Sequence, residues 1–142
     1  MSAQERKGWP RQILIVDDEQ SVLKTYHNIL TSHFPDYRIE VAANGFDAIE
    51  AFRQRRHDLM ILDLAMPIMD GRRAEYEIRM FCEDREIPEP AIIFCTGYLP
   101  PDDVRDLLKI NPSCSLLLKP VTTDTLVKEI TKRLAPEEPL AD

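Results

Sequence analysis

At 142 residues, with 44% hydrophobic and 30% charged content, the chain suits one globular domain with a sizeable core. Its formal charge of -7 excludes the broadly basic surface that nucleic-acid binding needs, and Arg53, Arg55, Arg56, Arg72 and Arg73 are diluted by Glu50, Asp58 and Glu75 into a solvated surface. No apolar stretch approaches the roughly 20 residues of a membrane span, residues 1–11 hold no apolar signal core, and Cys82, Cys95 and Cys114, odd in number and without C-x-x-C spacing, indicate neither a disulfide framework nor a zinc site, which fits a soluble protein of the reducing cytoplasm.

Ile13-Leu14-Ile15-Val16 is too short for a buried helix and reads as a strand covered on both faces. From Glu19, the positions Val22, Leu23, Tyr26, Ile29 and Leu30 recur at three- and four-residue steps, the pattern of an amphipathic helix ending before Phe34-Pro35. Arg38 to Ala42 gives the second strand, and Asn44-Gly45 then either opens a helix bearing Ala48, Ile49 and Phe52 or closes a hairpin; the helical spacing favours the former. Leu59 to Leu62 is the third strand, and Arg72 to Cys82 the third helix, with Ala74, Ile78 and Phe81 inward. Ala91 to Cys95 and Ser115 to Leu118 complete five strands. Val104, Leu107 and Leu108 mark a helix after Pro100-Pro101, and Leu126, Val127, Ile130 and Leu134 a last one that starts at Thr122, Thr123 and Asp124. Such alternation predicts a doubly wound α/β fold, a mostly parallel sheet with helices on both faces. Residues 1–10 read as an N-terminal extension, with Trp9 near the rim opposite the strand ends, 11–134 as the domain, and 135–142 as an acidic, Pro-containing tail or the start of a linker.

Four patches fall where strands end: Asp17-Asp18, Asp63, Thr96 and Lys119-Pro120. Ligands of such sheets bind outside the carboxyl ends of the strands, so three carboxylates, a hydroxyl and an ammonium share one rim. Carboxylates brought together unpaired repel, and a hard divalent cation such as Mg2+ relieves this while accepting phosphoryl oxygens. A carboxylate can also attack phosphorus, with Lys119 and Thr96 meeting the charge that spreads over the transferring oxygens. Each residue has a plainer reading: Asp17 or Asp18 as a helix cap, Asp63 and Thr96-Gly97 as turn chemistry, Lys119 as a solvated strand end. The plain readings require four coincidences at once. Pro120 leaves the preceding peptide open to cis or trans. His27, His33 and His57 are isolated and read as surface or core-edge residues.

The stretches Val16-Asp17-Asp18-Glu19, Asp63-Leu64-Ala65-Met66-Pro67-Ile68-Met69-Asp70-Gly71, Cys95-Thr96-Gly97-Tyr98 and Leu118-Lys119-Pro120 closely resemble the receiver domains of two-component response regulators. The resemblance covers about Arg11 to Leu134 and implies a flavodoxin-like fold, a five-stranded parallel sheet of order 2-1-3-4-5 flanked by five helices. It implies that Asp63 is the phosphoacceptor, that Asp17, Asp18, Asp63 and the backbone carbonyl of Ala65 hold Mg2+, and that Thr96 and Lys119 grip the phosphoryl group. The donor would be a phosphohistidine on a histidine kinase or histidine phosphotransfer protein, docked beside the first helix, with Gln20, Lys24 and His27 as candidate contacts. Output would pass to a downstream protein through the fourth helix, fifth strand and fifth helix, with a homodimer as a further option, and with neither nucleic acid nor membrane contacted directly. Receivers commonly carry a switching aromatic three residues before the Lys; here Leu116 stands there, so the signal is expected to pass through the loop from Thr96 to Tyr98. Ala65 and Tyr98 flank the family's water path, and an Ala that orients no water points to a long-lived phosphoryl group.

Beyond its own phosphorylation and dephosphorylation, no enzyme activity is expected. An aspartate-nucleophile phosphatase of the haloacid dehalogenase type would need an acid two residues after Asp63, where Ala65 stands. A phosphorylation-independent binding module would leave the acidic, Thr and Lys set without a task. A stand-alone regulator or relay is the architecture preferred here, the alternative being the receiver of a longer regulator with an output domain.

Overall fold

The computed structural model describes residues 11–134; the extension expected over 1–10, Trp9 included, and the tail over 135–142 lie outside the described residues. Ten elements alternate along the chain: β1 Gln12–Val16, α1 Gln20–His33, β2 Arg38–Ala42, α2 Gly45–Arg55, β3 Leu59–Asp63, α3 Gly71–Arg85, β4 Ala91–Thr96, α4 Asp102–Ile110, β5 Cys114–Leu118 and α5 Thr123–Leu134. All strand pairs are parallel, in the order β2-β1-β3-β4-β5, so the fold is the one expected.

Every residue of β1 and β3 is buried, which explains why their sequences run apolar without alternation. Side chains leave these strands on two faces and build two cores. Leu14, Val16, Met60, Leu62 and Phe94 pack with Phe52, Ile78 and Val104 of α2, α3 and α4. Ile13, Ile15, Ile61 and Ile93 pack with Leu23, Tyr26 and Leu30 of α1 and Leu126 and Ile130 of α5.

Local chemistry sets the element boundaries. Asn44 caps α2, its Oδ1 accepting from the Asp47 N–H at 2.8 Å, which settles Asn44-Gly45 as a helix start rather than a hairpin. Asp70 caps α3 through the Arg73 N–H at 2.9 Å. Apolar spacing ends α3 at Cys82, yet the helix runs three residues further, through solvated side chains, to a left-handed Glu86 whose N–H meets the Cys82 and Glu83 carbonyls. Gly71 packs against the end of β3 so closely that a Cβ there would lie 2.3 Å from the Asp63 carbonyl oxygen. No helix among the described residues is long and apolar enough to cross a membrane.

Candidate functional site

Asp17 follows β1 directly and is 3% exposed. Its Oδ1 accepts from the Glu19 N–H at 2.9 Å, a turn that points Asp18 out to solvent. Glu19, not either aspartate, is the N-cap of α1, and its own side chain makes no capping bond, so the helix-cap reading of Asp17 and Asp18 does not describe their place. Asp63 is the last residue of β3, 5% exposed, and its Oδ1 accepts from the Ala65 N–H at 3.2 Å. One carboxylate oxygen from each of Asp17, Asp18 and Asp63 lies within 4.8 Å of the others.

Lys119 reaches into this acidic cluster from the end of β5. Its Nζ donates to Asp17 Oδ2 at 3.1 Å and lies 3.5 Å from Asp63 Oδ1, so it is no solvated strand end. Its N–H donates to the Thr96 carbonyl at 2.8 Å, fastening the ends of β4 and β5 together. The Lys119–Pro120 peptide is cis. Thr96 closes β4 at 3% exposure, and its Oγ1 accepts from the Tyr98 N–H at 3.2 Å, so the turn chemistry expected as an alternative is also present.

Electrostatics follow from this crowding. Burial, then the Asp17 charge, pushes the Asp63 carboxyl above its ordinary value, while Lys119 and the Ala65 N–H offset part of the effect. Burial alone would lower the Lys119 ammonium, but the hydrogen bond to Asp17 and the charges of Asp63 and Asp17 outweigh it and hold the ammonium above its ordinary value. One cation among three carboxylates, two of them buried and Asp18 exposed, leaves excess negative charge, and three convergent oxygens suit a hard cation.

The remaining singled-out residues surround this centre. Ala65 is exposed on the loop after Asp63. Tyr98 is 75% exposed and its ring stands out in solvent. Leu116 on β5 pairs in register with Phe94 of β4 and packs partly buried against the core on the α2, α3 and α4 side. Arg53, Arg55, Arg72 and Arg73 do not form a free basic patch: Arg55 meets Glu40 at 2.8 Å, Arg73 meets Glu77 at 2.8 Å, Arg72 meets Glu75 and Asp103 at 3.4 Å each, and Arg53 lies over the Phe81 ring. His57 corrects the expectation of a surface or core-edge residue, being 2% exposed with Nε2 bonded to Glu40 Oε1. Sequence reasoning also missed Glu75, buried to 1% exposure between Arg72 and Arg79, because its helical position reads as an ordinary polar one.

A family profile described as the response regulator receiver domain matches residues 13–131. Among curated proteins, protein PilH of Pseudomonas aeruginosa is 32% identical over 124 residues, 87% of this chain and 98% of that protein. Transcription factor SKN7 of Candida albicans is 30% identical over 122 residues, 86% of this chain but 20% of that protein. The chain thus spans about a fifth to a quarter of the length of the first curated relatives it matches. Among solved structures, the Vibrio cholerae chemotaxis protein CheY4 aligns with a TM-score of 0.73 at 27% identity, over 87% of this chain and 98% of that one. The receiver domain of a Pseudomonas aeruginosa sensor histidine kinase, with a magnesium ion coordinated in its active-site cleft, aligns with a TM-score of 0.68 at 27% identity, over 86% and 95% of the two chains.

Proposed function

Because the chain belongs to the response regulator receiver family, we propose that it takes a phosphoryl group from a phosphohistidine donor onto Asp63 and thereby changes its interaction surface. The observation that carries the reading is the convergence of Asp17, Asp18, Asp63, Thr96 and Lys119 on one rim, three of the five being buried polar residues at strand ends. The Ala65 N–H and Lys119 engage Asp63 Oδ1, so attack on phosphorus falls to Oδ2. The new bond is Oδ2–P; the bond that breaks is P–N of the donor, and its electron pair leaves with the imidazole. Lys119 and Thr96 meet the charge on the equatorial oxygens, Thr96 after giving up its bond from the Tyr98 N–H.

Asp17, Asp18, Asp63 and the backbone carbonyl of Ala65 would hold Mg2+, and the close approach of three carboxylate oxygens fits that ion. When bound, it supplies charge neutralisation for the phosphoryl oxygens. The similar receiver with magnesium in its cleft supports this set. The donor is a histidine kinase or histidine phosphotransfer protein docking beside α1, with Gln20, Lys24 and His27 in its path. Output passes through the α4, β5 and α5 face, where Ile110 and Leu118 are exposed and Tyr98 and Leu99 lead in, to a downstream protein or a second copy. With Leu116 packed where other receivers place an aromatic, the moving part is the Thr96 to Tyr98 loop; amide shifts there on beryllofluoride addition check this, and an unmoved loop contradicts it.

The protein acts in the cytoplasm and turns over no external substrate. It works alone as a regulator or relay, as the near-complete coverage of PilH favours; the partial coverage of SKN7 favours the second reading, the receiver of a longer regulator. Intact mass after incubation with acetyl phosphate tests the core of this. A Mg2+-dependent gain of one phosphoryl group, absent in Asp63→Asn and roughly 100-fold slower in Lys119→Ala, is expected, on the scale of losing one oxyanion donor. No gain in folded wild-type protein, or an undiminished gain in Asp63→Asn, contradicts it. In the same assay Ala65→Asn loses the phosphoryl group faster than wild type, and much slower loss overturns the assignment of a long lifetime to Ala65.

A further inference from the structure

The first turn of α3 is fastened to the phosphoacceptor and, through one side chain, to α4. Gly71 donates its N–H to the Leu64 carbonyl at 3.1 Å and has room for no Cβ against the Asp63 carbonyl. The next residue, Arg72, holds buried Glu75 Oε1 through Nη1 at 3.4 Å and stands with Nε 3.4 Å from Asp103 Oδ2, in the first turn of α4. Arg72 Nε is buried and makes no hydrogen bond, so Asp103 supplies its charge partner across the helix gap. Glu75 is anchored on its other oxygen by Arg79 Nε at 2.8 Å, which fixes the Arg72 end of the pair. The loop between Thr96 and α4 is therefore held at both ends, at Thr96 by the site and at Asp103 by α3.

We propose that Arg72 is a positioning residue that latches the start of α4 to α3 and holds the Thr96 to Pro101 loop in its unphosphorylated arrangement, so that switching at Asp63 must loosen the Arg72–Asp103 pair. The proposal rests on the receiver reading above and adds a route that bypasses Leu116. Asp103 is exposed, so a variant there leaves the fold intact, and Asp102 provides the control: it is the adjacent acid in the same helix turn, but it pairs with Arg105 inside α4.

The test compares Asp103→Asn with Asp102→Asn, two substitutions that remove the same charge from the same first turn of α4, and so from the same end of its dipole. In free protein, Asp103→Asn shifts the backbone amides from Thr96 to Leu99 and Asp102→Asn does not. In Mg2+ buffer, Asp103→Asn binds beryllofluoride about two- to five-fold more tightly than wild type, the range an exposed ion pair allows, and 0.5 M salt brings the two together. Asp103→Lys, which repels Arg72, exceeds Asp103→Asn. Equal behaviour of Asp102→Asn and Asp103→Asn in both readouts overturns the latch while leaving the receiver reading intact. Absence of beryllofluoride binding in wild type and all variants overturns the receiver reading and the latch with it.

Discussion

At Asp63, burial and Asp17 both oppose ionisation, so the folded carboxyl keeps its proton to a higher pH than the unfolded one, whose ordinary value is 3.8. Stability from this group is therefore present at low pH and lost as pH rises from that ordinary value through the raised folded one. Without divalent cations, Asp63→Asn raises the thermal midpoint at pH 7, and the gain fades toward pH 4. His57 runs the other way. Burial, more than the opposing pull of Glu40, lowers its pKa from 6.5, so its neutral form donates Nε2–H to Glu40 and leaves Nδ1 as a bare, buried acceptor. Protonation would bury an unpaired Nδ1–H beside Arg55, whose charge also disfavours it, while Asp58 and Glu40 favour it. Stability from His57 is full above pH 6.5 and lost as pH falls below it, so His57→Gln loses less thermal midpoint than wild type as pH is lowered from 6.5. Gly71→Ala places a methyl 2.3 Å from the Asp63 carbonyl, and urea unfolding shows a loss of about 1–3 kcal/mol or more.

Among the elements, α3 carries the most concealed chemistry. Among the described residues, Glu75 at 1% exposure is satisfied by arginines of its own helix that remain 25–29% exposed, and replacing it with Gln leaves two guanidinium groups sharing a neutral amide. Urea unfolding of Glu75→Gln shows a loss of roughly 1–3 kcal/mol, below the full cost of breaking a wholly buried pair because both arginines keep contact with water. Nothing in the local pattern announced this, since i, i+3 and i, i+4 charge pairs normally lie on solvated faces. The element order, by contrast, was legible: Ile13-Leu14-Ile15-Val16 and Leu59-Met60-Ile61-Leu62 are uniformly apolar because these parallel strands are covered on both faces, and Asn44 and Asp47 announce the α2 start through cap chemistry. The end of α3 was not, because the final turn beyond Cys82 is solvated and its stop is the left-handed backbone of Glu86 rather than a Gly or Pro.

For the whole molecule, the convergence of the candidate site residues was legible through topology rather than local sequence: residues 46, 79 and 102 positions from Asp17 along the chain gather because parallel strands all end on one rim. What stayed hidden depended on side-chain direction, such as Asp17 turning in while Asp18 turns out, the burial of His57, and the bridge from Arg72 to Asp103. If Mg2+ binds the rim as proposed, it stabilises the folded state by about 2.7 kcal/mol at a hundredfold excess over its dissociation constant. Thermal scans should show that gain in wild type at pH 7.5, a smaller one at pH 5 as the proton competes for Asp63, and little in Asp63→Asn. The most direct test locates the phosphoryl group itself: protein phosphorylated by acetyl phosphate is reduced with borohydride, which converts an acyl phosphate on aspartate to homoserine, and peptides are sequenced by mass spectrometry. Homoserine at position 63 and nowhere else is the predicted result; homoserine at Asp17 or Asp18, or a phosphoryl group retained on a hydroxyl or imidazole, would contradict the assignment.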